Sequence, residues 1–292
     1  MPPPFVIDID PVAFMIGTRE IRWYGIIVAI AIVVVILWGY SQIEPLRKQG
    51  KLPARPDFNV IPAAIIGGMA GAKLLHIWER LDFYLQYPAE AFSGGGLAIF
   101  GGVLGSVLGV WIYIKFSRRG EGNQHFGFFT DLVTPGILLG QAVGRVGCFV
   151  NGCCGGKAAP EWLPWSVVYT HPSNEGFEAC ALLPPGIGLH PTQVYEIIFA
   201  LSAFGILLRI RKRLQPMEGA LFFVYMIMYS AWRFGIAYFR VDKLFFGLSQ
   251  AQIVSLVILA ISIFLLLRLT RRFQAGEPDQ NPPTQPPAEN TS

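Results

Sequence analysis

The chain has 292 residues, 53% hydrophobic and 14% charged, with a mean hydropathy of +0.47. Soluble domains carry about 25% charged residues, so this composition excludes an ordinary water-soluble enzyme and points to a polytopic membrane protein. The net charge of +4 calls for no nucleic-acid partner, because membrane proteins collect Lys and Arg in cytoplasmic loops.

The first residues, MPPPFVIDIDPVAF, lack the basic segment of a cleavable signal. They mix Phe5, Ile7, Ile9 and Phe14 with Asp8 and Asp10, a pattern expected along the outer membrane interface. A spanning helix needs about 20 mostly apolar residues. Seven segments qualify: Ile21–Tyr40, Phe58–Trp78, Leu97–Phe116, Phe126–Val150, Pro191–Ile210, Ala220–Phe239 and Ser249–Leu267. The expected fold is an all-α polytopic bundle of seven transmembrane helices over residues 1–272, with an outer loop domain at about 151–190. The tail 273–292, with PPTQPPAENTS, is Pro-rich and polar and is expected to be disordered.

Loop charge orients the bundle. Arg47, Lys48, Lys51 and Arg55 follow the first span, Arg118 and Arg119 the third, Arg209, Arg211, Lys212 and Arg213 the fifth, and Arg268, Arg271 and Arg272 the seventh. The alternate loops are poor in Lys and Arg: 151–190 has only Lys157. This places the N-terminus outside and the C-terminus in the cytoplasm.

The polar residues gather at the outer ends of the spans. Arg145 lies near the end of the fourth, within GRVGCFVNGCCGG (Gly144–Gly156). An arginine inside a bilayer is costly and marks a site unless it snorkels to the headgroups. In the sixth span Arg233 and Arg240 are seven residues apart, on one face of a continuous helix. The helical neighbours of Arg233 are Tyr229, Ser230, Ile236 and Ala237, none of them acidic. Arginines unpaired with acids near the outer leaflet require an anion, and guanidinium binds phosphate bidentately. Gly152, Gly155 and Gly156 permit positive φ and an amide nest for such an anion. His190-Pro191-Thr192-Gln193-Val194-Tyr195-Glu196 opens the fifth span, where His190 or Thr192 is placed to cap the helix and Gln193 and Glu196 should face the interior.

No cofactor is called for. Cys148, Cys153 and Cys154 lack the C-x2-C pairs of structural zinc sites. A composite metal site with Cys180, His171 or His190 stays open, as does a disulfide of Cys180 with Cys153 or Cys154 if the loop faces an oxidising exterior.

From Phe5 to Arg272 the sequence resembles the bacterial phosphatidylglycerol–prolipoprotein diacylglyceryl transferases. The resemblance rests on Trp23-Tyr24-Gly25, on GGGLAIFGGVLG (Gly94–Gly105), on GRVGCFVNGCCGG, on HPTQVYE and on the pair Arg233 and Arg240, in that order. It implies transfer of diacylglycerol from phosphatidylglycerol to the lipobox cysteine of a prolipoprotein signal peptide at the bacterial inner membrane. A thioether forms and glycerol 1-phosphate leaves. It also implies that Arg145 binds phosphatidylglycerol and that Tyr24, Arg233 and Arg240 belong to the catalytic set. Asn151, Gly152, Gly156 and Gln193 are expected at the substrate.

This chain departs from the family at several positions. Phe100 stands where some members carry a histidine proposed as general base, and Cys148 and Cys153 stand where members carry Asn and Glu. Ala237 stands where a glutamate often lies between the two arginines. A phenyl ring cannot take a proton, so the base falls to Tyr24, a cysteine, water or the leaving phosphate. The rival expectation is a catalytically altered relative that binds lipid without transferring it.

Overall fold

The structure, a computed structural model, describes residues 4–17, 19–48, 60–88, 98–116, 126–241, 244–245 and 247–275. Each of the seven predicted spans falls on a helix: α1 (Trp23–Lys48), α2 (Val60–Glu79), α4 (Ile99–Phe116), α5 (Phe126–Asn151), α7 (Thr192–Leu214), α8 (Ala220–Ile236) and α9 (Gln250–Gln274). Two short helices, α3 (Leu81–Gln86) and α6 (Phe177–Ala181), lie in connections. By length and composition α1, α5, α7, α8 and α9 can cross a membrane, and α4 carries a shorter apolar stretch, Gly101–Tyr113. The protein is therefore a multi-pass membrane protein.

Several helices outrun their apolar segments. α1 continues past Tyr40 to Lys48, and α9 past Leu267 to Gln274. Intrahelical hydrogen bonds need no apolar side chains, and Arg271 and Arg272 in the last turn of α9 suit the negative end of the helix dipole. The predicted tail thus begins inside α9 at Phe273 and Gln274, and residues 276–292 lie outside the described residues.

The chain divides into two compact units, one of residues 1–42 and 131–276, the other mainly 43–130. The second is built on α2 against α4. A Cβ on Gly67 or Gly71 would strike the backbone of Gly105, and one on Gly101, Gly105 or Gly109 would strike the α2 backbone. Both stripes recur every four residues, which brings the two backbones into direct contact. Much of the Gly-rich third-span motif therefore serves helix packing, while Gly94 and its neighbours to Leu97, and the side chain of Phe100, lie outside the described residues.

In the first unit α5 is central. Gly136 faces the Trp38 ring, Gly140 faces Ala31 and Val35, and Gly147 faces Tyr24 and Ile27, so one glycine face of α5 receives α1. Trp38 also donates its indole N–H to the carbonyl of Leu132 (3.1 Å). At 100° per residue this leaves Gln141, Arg145 and Cys148 on the other side of α5. At the opposite end Asp131 accepts from the backbone N–H of Gly219 and of Phe222 (both 2.8 Å), holding the start of α8. α9 opens on a capping box in which Ser249 Oγ accepts from Gln252 N and Gln252 Oε1 accepts from Ser249 N.

The chain is mostly helical, as expected of an all-α membrane protein, and short strands accompany the helices. β1 (Phe5–Ile7) pairs in parallel with β4 (Val167–Tyr169), β2 (Val12–Ile16) pairs antiparallel with β3 (Arg19–Arg22), and β5 (Leu244–Phe245) with β6 (Leu248–Ser249). Phe5-Val6-Ile7 is a short apolar run with two β-branched residues, a composition that suits a strand. The β1–β4 pair ties the N-terminal stretch to the long α5–α7 connection. That connection has a small core of Val167, Tyr169, Cys180 and Leu189, against which Ile7 and Phe149 pack.

A guanidinium cluster and a cysteine turn

The site is built where α5 ends. Arg145 is 6% exposed and Glu196, one turn into α7, is 1% exposed. The Arg145 Nε and the Glu196 carboxylate form a buried ion pair. The expectation of an arginine unpaired with acids is corrected here: the partner is absent from the neighbouring positions of its own helix and comes from another helix instead.

Around this pair stand the other charges. The hydroxyl of Tyr229 on α8, itself 1% exposed, interacts electrostatically with Glu196, Arg145, Arg233 and Arg240. Three guanidinium groups from two parts of the sequence therefore converge on one phenol. Arg233 Nη1 is buried without a hydrogen-bond partner among the described residues, and so are the Gln141 amide, Ser230 Oγ and Tyr225 Oη. Buried polar groups are normally satisfied, so a cluster of orphans inside a membrane bundle asks for a polar ligand.

Arg240 arrives by a different route from the one its spacing predicts. α8 ends at Ile236 and a 3-10 turn, Ala237–Phe239, follows. Arg240 then takes an extended backbone, φ −109° and ψ 153°. The two arginines are not on one continuous helix face; the tighter turn and the chain reversal bring Arg240 to the site. Its Nη1 donates to the Cys154 carbonyl at 3.1 Å.

That carbonyl belongs to a tightly held turn. Thr192 Oγ1 donates to Cys154 O (2.6 Å) and Gln193 Nε2 to Cys153 O (2.8 Å). HPTQVYE therefore clamps the cysteine turn. Thr192 does not cap α7, whose N-cap is Pro191 without a side-chain bond. His190 faces Tyr195 instead, with Nδ1 3.3 Å from the hydroxyl. Burial of its ring lowers the His190 pKa.

The glycines of the turn also differ from expectation. Only Gly152 has positive φ (+73°), and a Cβ there would strike Asn174 and Gly176. A Cβ on Gly156 would meet His190 and the carbonyl of Phe239. Their N–H groups are spent on Phe149 O and His190 O, so these two amides are not available to an anion. The close approach is of protein to protein. Asn151 Oδ1 accepts from Arg22 Nη1 (3.4 Å).

All four cysteines are free, so the disulfide expectation fails. Cys180 lies in the core of the connection, its sulfur accepting from Tyr169 N (3.3 Å). Cys148, Cys153 and Cys154 instead form a triangle whose sulfurs all lie within 4.8 Å of one another. Arg145 Nη1 is 3.8 Å from Cys148 Sγ. Hydrogen bonds from Cys148 and Cys153, then the charges of Arg145 and Arg240, hold the Cys154 thiol well below the ordinary cysteine range. Tyr24 at the start of α1 interacts electrostatically with all three cysteines and with Arg145. Arg145, Arg233, Arg240, Tyr24 and Gln193 therefore share one locality. Glu196 and Tyr229 join them and were not among the predicted site residues.

This geometry can be set beside known proteins. The family described as Prolipoprotein diacylglyceryl transferase matches residues 11–268. The chain belongs to that family. It is 41% identical over 273 residues to a phosphatidylglycerol–prolipoprotein diacylglyceryl transferase of Dehalococcoides mccartyi, covering 92% of this chain and 96% of the relative. A protein of the same name from Symbiobacterium thermophilum is 36% identical over 270 residues, covering 90% and 94%. One from Staphylococcus epidermidis is 32% identical over 271 residues, covering 91% of each. The whole guanidinium cluster and cysteine turn lie within the stretch this family covers.

Proposed function

We propose that this chain transfers the diacylglyceryl group of phosphatidylglycerol to the lipobox cysteine of prolipoproteins, forming a thioether and releasing glycerol 1-phosphate. The observation that carries this reading is the convergence of Arg145, Arg233 and Arg240 around Tyr229, beside orphaned polar groups, in an apolar bundle. A lipid phosphate supplies an acceptor for the unbonded Arg233 Nη1, and charge-assisted guanidinium–phosphate bonds are among the strongest available. The relatives' names point to the same lipid and the same acceptor protein.

In the reaction the acceptor sulfur attacks the glyceryl carbon that bears the phosphoester. The C–S bond forms as the C–O bond breaks, and the electron pair leaves on the phosphate oxygen. Fixed positive charge around that oxygen stabilises the leaving group more in the transition state than in the ground state. Arg145 is the principal phosphate ligand, its Nε held in place by the Glu196 carboxylate. Arg233 and Arg240 complete the cradle, and Tyr24 flanks the acceptor side. Gln193, Gly152, Gly156 and Asn151 act on substrate through the shape of the turn they hold. The seven helices cross the bacterial inner membrane with the N-terminus outside and the C-terminus in the cytoplasm. The site then opens at the outer leaflet, where a secreted precursor's lipobox arrives.

The test is direct. Purified protein, vesicles containing phosphatidylglycerol and a lipobox peptide are incubated, and the peptide is weighed. A gain of one diacylglyceryl group is expected. Arg145→Ala should lose about 100- to 1,000-fold in rate, the effect of deleting one donor to a developing oxyanion. An unaltered peptide mass with wild-type protein refutes the reading.

A further inference from the structure

We propose that Cys148, Cys153 and Cys154 hold a zinc ion through three thiolates, and that the fourth position on the metal takes the acceptor cysteine of the precursor. The inference rests on the transferase reading above and supplies what Phe100 leaves missing, a means of generating the acceptor thiolate.

The geometry suits the ion. The three sulfurs lie within 4.8 Å of one another. Tetrahedral zinc with Zn–S bonds of about 2.3 Å sets ligand sulfurs about 3.8 Å apart, a spacing within about 1 Å of the upper limit seen in the triangle. The triangle is also fixed before any metal arrives. Carbonyls of Cys153 and Cys154 are pinned by Gln193, Thr192 and Arg240. Cys154 is held at φ +60°, a conformation uncommon for a residue with a side chain. Outliers of this kind persist where the surroundings over-determine them, and they cluster at functional sites. Neighbouring cysteines rarely bond to each other, so Cys153 and Cys154 offer two independent sulfurs.

The fourth position stays open. Structural zinc sites close with four protein ligands, while catalytic ones keep three and an exchangeable place. Among the described residues no fourth Cys, His, Asp or Glu joins the three sulfurs, and Cys180 is bonded to Tyr169 N, His171 to Ser173 N and His190 to Tyr195. Charge is favourable as well. Zinc with three thiolates carries one net negative charge, and Arg145 Nη1 stands 3.8 Å from Cys148 Sγ. The metal is thereby within about 6 Å of that guanidinium, given the Zn–S bond length. Acceptor sulfur and departing phosphate are brought to adjacent places.

The step balances. The acceptor thiol binds zinc as its thiolate, and its proton passes to water. The bound sulfur attacks the glyceryl carbon, the C–O bond breaks, and the pair leaves with glycerol 1-phosphate. The thioether product has no negative charge, binds zinc weakly and departs, which restores the open position.

The full-length protein is purified in detergent and its metal content measured, with about one zinc per chain expected for three thiolate ligands. Replacement by cobalt(II) should give thiolate-to-cobalt charge-transfer bands and the visible bands of tetrahedral cobalt. A lipobox peptide should shift the visible bands, and its Cys→Ser counterpart should not. The triple variant Cys148→Ser, Cys153→Ser, Cys154→Ser should lose both zinc and bands. Chelation of the wild-type protein, which needs no mutation, should slow lipidation about 30-fold, because a free thiol is only a few per cent ionised at neutral pH. Full-rate lipidation by metal-free wild-type protein overturns the zinc proposal and leaves the transferase reading standing. Zinc bound through the cysteines, with cobalt bands that a lipobox peptide does not move, overturns the assignment of the fourth position. Bound zinc and shifted bands without any lipidation overturn the transferase reading instead.

Discussion

Arg145 on α5 and Glu196 on α7 form a buried ion pair, 6% and 1% exposed. Removing one member of such a pair strands the other and costs about 3–5 kcal/mol. Glu196→Ala should therefore lower the unfolding temperature in detergent, and Glu196→Gln, which keeps an acceptor oxygen, should lower it less. Added phosphatidylglycerol should raise the unfolding temperature more for Glu196→Ala than for the unaltered protein, because the lipid phosphate then fills the acceptor place left by the carboxylate. Differential scanning fluorimetry with and without the lipid checks both expectations.

Arg233 presents a buried Nη1 with no partner among the described residues. Arg233→Lys keeps the charge and discards the planar fork that grips phosphate at two points. Loss of one bidentate contact should raise KM for the lipid by about 10-fold, since a charge-assisted hydrogen bond is worth roughly 1.5–3 kcal/mol. A fall in kcat with unchanged KM would place Arg233 at the departing phosphate in the transition state instead. Steady-state lipidation at varied lipid mole fraction separates the two.

Asp131 accepts from Gly219 N and Phe222 N at the start of α8. It is an acid inside an apolar helix that serves as a cap rather than as part of an ion path. Asp131→Ala should cost about 1–2 kcal/mol, the usual effect of losing a helix N-cap. Asp131→Asn should cost less. Thermal unfolding gives the difference, and KM for lipid should stay unchanged, since α8 carries its arginine at the other end.

Gly105 packs against the backbone of Gly67 and Gly71. Gly105→Leu cannot be absorbed by a side-chain rotation, because the obstacle is main chain. Separation of α2 and α4 should cost at least the roughly 1–3 kcal/mol of an overpacked core. Lower yield of folded protein on size-exclusion chromatography is the expected sign, with Gly102→Ala, which has room for its methyl, as the tolerated control.

His190 is held below the ordinary imidazole value by burial of its ring beside Tyr195 and Phe239. The folded chain therefore binds fewer protons there than the unfolded chain. Stability from this residue is present above the unfolded imidazole value near 6.5 and is lost as pH falls through it toward the folded value. An imidazole titration by NMR should place His190 below that value, and His190→Gln should flatten the acid limb of unfolding temperature against pH.

Hydropathy alone located each long helix among the described residues, because a bilayer demands about 20 apolar residues in a row and little else produces such runs. The weight of Arg145, Arg233 and Arg240 was legible for the same reason: charge in an apolar segment needs an explanation. Partners were another matter. Glu196 stands 51 positions from Arg145 along the chain, and the periodicity of one helix says nothing about which face of another it meets. The 3-10 turn that redirects Arg240 and the fold that brings Cys153 and Cys154 against Cys148 are decisions of backbone geometry. Gly152 and Gly156, read locally as freedom for a ligand, are fixed by packing against Asn174 and Gly176 and against His190 and Phe239. Composition decides which solvent each segment accepts, and only three-dimensional packing decides which charges and sulfurs share a volume.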